Sequence, residues 1–416
     1  MEKVLPLPIM NRKVSAHAVR RHSVSFVASV AWLLYVIILS YVKAFFYDDE
    51  DSVYYIQIIP MLLILFYQLY YLLKDVDFSR YRLNLIAVYF IFIILHYFLL
   101  RSGLERVVNL MTLLSCLLIY KKYPFKKKEI NKLYYLVVAV VFLKVLNGTT
   151  VENMADTSKF NPNECAIYLM LLLCISLVMF ANKKKIGYLI VMAICFALQF
   201  YFASRGALVG CILFVAAFVL FKAWKRTWKV KNAFIIILLL SVFGVLVAYL
   251  YSTVLFDLIG HGKITILGKD LFTGRQKIWR LTFDSIRENL WFGVGSHVNE
   301  STIIEESNEL YRNAHNMPLA VLVSFGLIHF ILFYWVFSRL VAESGAFVTR
   351  KGKYVNRTPI IFMGVITLMN YFEVLFFSQW AMPIVIVAFG FICNCQRERR
   401  QKNRLPYRKD KQVSVG

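Results

Sequence analysis

The sequence has few charged residues for its length. Only 17% of its 416 residues are Asp, Glu, Lys or Arg, whereas 59% are hydrophobic and the mean hydropathy is +0.61. A water-soluble domain cannot bury that much apolar surface. Apolar runs of roughly 17–25 residues, the length that crosses the hydrocarbon layer, recur from Val24 to Cys395. The composition therefore excludes a soluble enzyme and indicates a polytopic membrane protein.

The sequence also lacks the patterns of a secreted protein. Its seven cysteines are scattered mostly inside apolar runs, without the paired spacing of a disulfide framework or a zinc site. The first apolar run, Val24 to Phe46, is too long for the core of a signal peptide and no small-residue cleavage site follows it. We interpret the cysteines as packing residues and the first run as a retained span.

The apolar runs predict an all-α fold of twelve transmembrane helices. The predicted spans are 24–46, 53–73, 83–101, 104–120, 133–147, 164–181, 186–203, 206–221, 233–252, 318–337, 358–377 and 380–395. The fourth and fifth are short or interrupted, and Lys144 lies inside the fifth.

Acidic residues are half as numerous as basic ones, 24 against 48, and the basic excess lies in the breaks that follow every second span. Positively charged flanks stay on the cytoplasmic side, so both termini are expected there. Topology explains the formal charge of +24 better than nucleic-acid binding does. The predicted organisation is a cytoplasmic basic segment 1–23, nine helices in 24–252, a large extracytoplasmic loop 253–317, three helices in 318–395, and a basic tail 396–416, expected to be disordered on anionic lipid.

Metal-binding motifs and internal repeats are also missing. Asp49-Glu50-Asp51 formally contains the Asp-x-Asp pattern of metal-dependent glycosyltransferases, but we read it as a solvated turn and predict no metal. A transporter would carry inverted repeats or charged residues deep in several spans. The sequence has no convincing repeat and few such residues, chiefly Lys144, His96 and Glu373.

The large loop contains a predicted amphipathic helix at 274–290. Thr273 to Gln276 fits a capping box, and an aromatic and aliphatic stripe follows at helical spacing. We read the stripe as a structural lid. Arg275 differs, because the dipole in the first helical turn disfavours a cation unless an anionic ligand docks there. A solvated surface arginine is the alternative.

Further polar residues lie at the outer ends of the predicted spans. Arg205, in a very short connection, either snorkels or contacts a ligand, and Gly206 beside it suggests a close backbone approach. His315 lies just outside the lipid before Pro318, as an interfacial residue or a catalytic one. Residues 161–164 form a turn and helix cap or part of a site. Glu373, an intramembrane carboxylate, is a site candidate by default.

The order and placement of these motifs resemble the O-antigen ligase and Wzy-type polymerase family. The likeness covers the whole topology, and its sharper motifs occupy residues 161–166, 201–210, 271–295 and 312–326. These motifs are Asn161-Pro162-Asn163-Glu164, Gly274-Arg275 with Ile278-Trp279, Trp291-Phe292-Gly293-Val294-Gly295, and His315-Asn316 with Gly326 downstream.

The resemblance implies metal-independent and cofactor-free transfer of a glycan from undecaprenyl diphosphate on the outer membrane face. Arg205 and Arg275 would hold the diphosphate, since the guanidinium fork matches phosphate geometry. His315 would orient or deprotonate the acceptor hydroxyl, with Glu373 as the second candidate for the base. Further candidates for substrate binding are Asn161, Asn163 and Asn316.

The resemblance also implies partners and a location. The partners are an undecaprenyl-diphosphate-linked oligosaccharide, an acceptor glycan and membrane lipids, with a flippase and a chain-length regulator as further candidates and no nucleic acid. The expected location is the inner or plasma membrane of a bacterium. A loop without a soluble-domain-sized extension favours a polymerase. A ligase is the first alternative, and a flippase or other transporter is the second.

Overall fold

A computed structural model describes residues 22–45, 50–74, 85–100, 103–148, 162–202, 204–223, 228–255, 265–266, 269–270, 275–295, 314–344, 346–349 and 352–404. Within these residues the chain forms thirteen α-helices and five short strands. The helices are α1 (Val24–Phe45), α2 (Glu50–Lys74), α3 (Leu85–Leu100), α4 (Leu104–Lys122), α5 (Lys127–Gly148), α6 (Pro162–Lys183), α7 (Ile186–Tyr201), α8 (Arg205–Ala223), α9 (Val230–Leu250), α10 (Arg275–Glu288), α11 (Met317–Ser344), α12 (Arg357–Met369) and α13 (Ala381–Arg404).

Each predicted span coincides with one of these helices, and α10 is the helix predicted for the large loop. Four helical stretches in the described part are long and apolar enough to cross a membrane. They are Tyr55–Lys74, Pro162–Lys183, Val230–Leu255, which adds a π-helical turn to α9, and Met317–Ser344. Six shorter apolar helices accompany them. The chain is thus an all-α type of multi-pass membrane protein, while the number of crossings stays a prediction.

Two helix ends differ most from the predicted ones. The eleventh span was expected to reach residue 377, but α12 ends at Met369 because Asn370 turns the chain: its Oδ1 accepts a hydrogen bond from the Leu375 amide at 2.9 Å. Glu373 therefore lies in a turn beyond the helix. The basic tail was expected to be disordered, yet α13 continues to Arg404. Its Gln, Arg and Lys residues have favourable helix propensities.

The helices α6 and α11 form the centre of the bundle. α6 packs against α5, α7, α8 and α13, and α11 packs against α3, α4, α9 and α10. In the most apolar stretch of each helix, 89% of α6 and 72% of α11 are buried, against 28% of α2 and of α9. The peripheral helices keep large apolar side chains such as Leu63 and Leu239 exposed. Exposed apolar surface of this kind suits contact with lipid chains, which are as apolar as leucine.

The five strands lie at both ends of the bundle and were not predicted. The longer pair, β4 (Ala346–Thr349) and β5 (Gly352–Val355), is antiparallel, and β1 (Trp228–Lys229) adds to its edge with Trp228 opposite Val355. A second hairpin in the large loop joins β2 (Thr265–Ile266) and β3 (Lys269–Asp270). The first sheet ties α9 to the connection between α11 and α12.

The end of the bundle where α1 and α5 begin carries a buried carboxylate. We name it the basic end, because the predicted cytoplasmic lysines and arginines flank these helices. The Glu129 carboxylate is 3% exposed and accepts hydrogen bonds from the Ser23 amide at 2.7 Å, the Ser23 hydroxyl at 2.6 Å and the Lys126 amide at 2.7 Å. The Phe125 amide nearby donates to Asn394 Oδ1 of α13 at 3.0 Å. These bonds join three helices at one place.

The opposite end, which we name the loop end, contains a break in α11. Gly326 has φ 77° and ψ 177°, so the helix is interrupted there. Residues 289–295, which follow α10, supply the missing partners: the Val294 amide donates to the Val323 carbonyl at 2.9 Å and the Leu327 amide donates to the Leu290 carbonyl at 2.7 Å. Broken helices at membrane depth require such replacement partners.

The contact at this break requires two glycines. A Cβ on Gly293 would lie 2.6 Å from the Gly326 nitrogen, and a Cβ on Gly326 would lie against the Trp291 carbonyl. Both residues also have positive φ. Only glycine combines this backbone conformation with so close an approach. The motif glycines at 293 and 326 therefore form one structural joint.

Candidate functional site

The candidate site lies at the loop end, where α10 and α11 begin and α12 ends. The Glu373 carboxylate lies between two basic side chains: Oε1 is 3.6 Å from Arg275 Nη2, and Oε2 is 3.9 Å from His315 Nδ1. All three side chains are partly exposed, at 25%, 34% and 26% for Arg275, His315 and Glu373. The two contacts are longer than hydrogen bonds. Glu373 is therefore close to both groups without a hydrogen bond to either.

Two side chains of α10 hold Arg275 in place. The Trp279 ring is fully buried, and its Nε1 donates to the Ala314 carbonyl at 2.5 Å. One residue further on, Arg280 Nε donates to the Ser252 carbonyl at 2.6 Å. Trp279 follows Arg275 by one helical turn, and Ala314 directly precedes His315. The bond between Trp279 and Ala314 therefore also fixes the distance between Arg275 and His315. The aromatic stripe thus has the structural role expected of it and also orients the site.

His315 has an unusual backbone conformation. Its φ is +46°, in the left-handed region, which costs on the order of 1–2 kcal/mol for a residue with a Cβ. The residues on both sides impose this conformation, since Ala314 is held by Trp279 and Asn316 is fully buried. Strained backbone that the surroundings impose is common at functional sites. The twist leaves the His315 side chain one-third exposed beside Glu373.

Asn316 joins the start of α11 to the end of α12. Its Oδ1 accepts from the Leu319 amide at 2.9 Å, which caps α11, and its Nδ2 donates to the carbonyls of Tyr371 at 2.9 Å and Gly244 at 3.2 Å. The structure therefore gives this predicted substrate-binding residue a buried structural role, and its contact with substrate stays a prediction.

The turns after α12 place Glu373. The Asn370 carbonyl accepts a hydrogen bond from the Met317 amide at 2.8 Å, and the Tyr371 hydroxyl donates to the Leu240 carbonyl of α9. Further along, Asn109 Nδ2 donates to the Phe377 carbonyl at 3.1 Å. Residues on three other helices thus hold the 370–377 segment. Apolar side chains around Glu373 made this segment look like the end of a span.

Arg205 lies at the same end of the bundle, at the start of α8. Gly210 of that helix lies against Met170 and Met369, the last residue of α12. This contact brings the beginning of α8 beside the segment that carries Glu373. The close backbone approach expected at Gly206 is wrong, because a Cβ there would meet no described atom within 4 Å. The first turn of α8 is exposed on that side, and the close approach occurs at Gly210 instead.

The polar cluster at the start of α6 contacts other elements. Glu164 Oε2 is 3.0 Å from Lys144 Nζ of α5, and both side chains are about 15% exposed. This ion pair accounts for a lysine inside the fifth predicted span. Asn163 is half-buried in the first turn of α6, whereas Asn161 lies outside the described residues. The pair joins α5 to α6, and a role of Asn161 or Asn163 in substrate binding stays a prediction.

Three residues that shape the site were not among the predicted site residues. Asn370 turns the chain before Glu373, Arg106 donates to Ser324 Oγ next to the break in α11, and His96 Nε2 lies 2.8 Å from the Phe292 carbonyl. Arg106 and His96 act on residues that are far away in the chain. The tendency of asparagine to form turns is the one clue that could have suggested Asn370.

The fold and the site together define a multi-pass membrane protein with a charged cluster at one end of its helices. Residues 190–334 match a family model described as O-antigen ligase. This match confirms the resemblance to the O-antigen ligase and polymerase family, and it covers about a third of the chain. No curated protein matches the chain.

The family match supports a glycosyltransferase-like function of the O-antigen ligase or polymerase type. Arg205, Arg275, His315 and the glycine joint lie within the matched residues, whereas Glu373 and His96 lie outside them. The cluster supplies a cation for an anionic group, an imidazole for proton transfer and a carboxylate that can orient either one. Among the described residues, no three His, Cys, Asp or Glu side chains form a group that could hold a metal ion.

Proposed function

We propose that the protein is a polymerase of surface polysaccharide, which transfers a growing glycan from undecaprenyl diphosphate to an acceptor sugar on the outer face of a bacterial cell membrane. The observation that carries this proposal is the Glu373 carboxylate between Arg275 and His315, at 3.6 and 3.9 Å, at the end of a membrane helix bundle. One cation and one general base side by side are what displacement of a diphosphate by a hydroxyl requires.

In the proposed reaction, an acceptor hydroxyl oxygen forms a bond to the anomeric carbon of the lipid-linked sugar. The bond from that carbon to the diphosphate oxygen breaks, and undecaprenyl diphosphate leaves with the electron pair. Arg275, helped by Arg205, stabilises the charge that develops on this leaving group. The hydroxyl proton passes to His315, and Glu373 stabilises the resulting imidazolium. No metal or cofactor takes part in this scheme.

The start of α10 suits the role assigned to Arg275. Backbone amides at a helix N-terminus attract anions, so a diphosphate near Arg275 would meet the guanidinium and the positive end of the helix dipole. The contact between Glu373 and Arg275 is 3.6 Å long and therefore weaker than a hydrogen bond. A diphosphate can thus displace Glu373 from Arg275.

A ligase that joins finished chains to an acceptor is the second candidate, since the matching family is described as O-antigen ligase. The predicted large loop of 253–317 has no soluble-domain-sized extension, and this favours the polymerase. Both activities use the same donor and the same leaving group, so the assigned roles are shared by both candidates.

The test is a size profile of surface and lipid-linked glycans from cells that lack the gene, with and without a plasmid copy. If the gene encodes a polymerase, its deletion leaves single repeat units on the surface or the carrier. If it encodes a ligase, its deletion leaves long chains on undecaprenyl diphosphate. Precursors trapped at the cytoplasmic face would support a flippase instead. An unchanged profile would refute the proposed function.

A further inference from the structure

His96 of α3 contacts both parts of the joint between residues 289–295 and the break in α11. Its side chain is 3% exposed, and its Nε2 lies 2.8 Å from the Phe292 carbonyl. Because a carbonyl only accepts hydrogen bonds, Nε2 carries the hydrogen and donates it. The ring also packs against Phe325, the residue before the break, with centroids 5.3 Å apart.

The 289–295 segment is the far anchor of α10. The segment follows Glu288 directly, and its amides and carbonyls pair with residues 323–328 across the break. The near anchor is Trp279, bonded to the Ala314 carbonyl. A short helix held at two points has little freedom to rotate, so the position of Arg275 depends on both anchors. Movement of the 289–295 segment would therefore shift Arg275 relative to Glu373.

A packing role alone would not require a histidine at position 96. Leucine or phenylalanine would fill an apolar position between helices equally well, and removal of the donor would leave the Phe292 carbonyl without this hydrogen bond. A backbone carbonyl without a hydrogen-bond donor is costly in a membrane, where water cannot replace the donor. The geometry of the Nε2 contact therefore indicates that the donor is what this position needs.

We propose that His96 is a positioning residue for glycan transfer: its hydrogen bond to Phe292 holds the 289–295 segment in the break of α11 and so sets Arg275 against the diphosphate of the donor. The role of Arg275 in this inference rests on the proposed function. The hydrogen bond itself does not, so the two can be tested separately.

The experiment compares three variants of the full-length protein in detergent. His96→Leu removes the donor. His96→Gln restores it, since the glutamine amide nitrogen reaches about as far as Nε2. Tyr89→Phe is the matched control. Tyr89 lies on the same helix as His96, and its Oη is 2.8 Å from Nε2 of His329 in α11. This variant therefore loses one buried hydrogen bond between α3 and α11 and leaves the donor to the Phe292 carbonyl in place.

The first readout is amide hydrogen exchange in residues 289–295, which reports opening of the joint whatever reaction the protein catalyses. We expect exchange about tenfold faster in His96→Leu than in the wild type, as loss of one hydrogen bond predicts. His96→Gln and Tyr89→Phe should both stay within about twofold of the wild type, because each variant keeps a donor to the Phe292 carbonyl. Unchanged exchange in His96→Leu would overturn the proposal.

The second readout is transfer kinetics with undecaprenyl-diphosphate-linked glycan extracted from the gene-deleted strain. We expect the donor KM of His96→Leu to rise about fivefold to tenfold, with a smaller change in kcat, because donor binding depends on Arg275. His96→Gln should restore the KM. Faster exchange with an unchanged KM would overturn the positioning role. A wild type without any transfer would refute the proposed function, while the exchange data would still decide whether His96 holds the segment.

Discussion

Glu129 and Glu373 lie at opposite ends of the helix bundle and are held in different ways. Glu129, at the basic end, is 3% exposed and accepts three hydrogen bonds of 2.6–2.7 Å. Glu373, at the loop end, is 26% exposed and lies 3.6 and 3.9 Å from two basic side chains. Backbone and hydroxyl donors occupy the first carboxylate, whereas the second has no hydrogen bond to either neighbour and remains open to a ligand. This difference separates a carboxylate that stabilises the fold from one that can serve a reaction.

The largest expected effect comes from Glu373→Gln, which removes the charge and keeps the shape. We expect glycan transfer to fall about 100-fold, because the imidazolium of His315 loses its stabilising partner. The thermal midpoint of unfolding should change by less than about 2 °C, as for other partly exposed ion pairs. Transfer by purified protein and a melting curve measure the two effects. A loss of stability as large as that expected for Glu129→Gln would show that Glu373 also stabilises the fold.

Glu129→Gln is the matched substitution at the other end. We expect a loss of about 2 kcal/mol in the free energy of unfolding, because a neutral amide replaces a buried acceptor of three hydrogen bonds. Transfer per folded molecule should stay at the wild-type value. Denaturation of the purified protein followed by near-ultraviolet circular dichroism measures the first quantity. A folded variant without transfer would contradict the assignment of a purely structural role.

Arg275→Lys tests the cation on which the Glu373 contact depends. Lysine keeps the charge but loses the planar fork, so we expect the donor KM to rise about tenfold with intact stability. Arg280→Lys is the control, since Arg280 lies on the same helix but donates to a backbone carbonyl. If both substitutions weaken donor binding equally, the position of α10 rather than the Arg275 guanidinium determines affinity.

The smallest expected effect is the pH dependence of stability at the basic end. Burial raises the pKa of Glu129, but the hydrogen bonds from Ser23 and the Lys126 amide outweigh it, and the net pKa lies below the ordinary value of 4.5. A lowered pKa stabilises the fold above 4.5, and this contribution is lost as the pH falls below that value. The wild type should therefore lose more thermal stability than Glu129→Gln between about pH 5 and pH 3. Parallel curves would show that another group titrates.

Much of the fold could be predicted because hydropathy and charge act locally. Helices formed at each predicted span, and the α10 prediction of 274–290 is confirmed as Arg275–Glu288. The end of α12 could not be predicted, because Tyr371, Phe372 and Val374 are as apolar as residues within a span. Only the bonds of Asn370 and Asn316 show that this stretch turns. The β-strands were missed because each has four residues or fewer.

The candidate site was predictable in part. Arg275 and His315 were singled out by their positions relative to predicted helix ends, and the structure brings both to Glu373. Gly206 was misread, since a glycine in the sequence does not show which neighbour it meets. His96 was noted as a rare ionisable residue inside a span, but its partner Phe292 belongs to a distant segment.

By itself, the sequence determined that the chain enters a membrane as a series of helices and carries a helix in its large loop. Segment length, hydropathy and flanking charge are properties of short stretches, and they decide these features without reference to the rest of the chain. Only the tertiary structure decided that Glu373 lies between Arg275 and His315, and that residues 289–295 fill the break in α11. Such contacts depend on how helices far apart in the chain pack together. Hydropathy measures only the preference of each segment for an apolar environment, and lipid is as apolar as a neighbouring helix, so hydropathy does not specify which helices become neighbours.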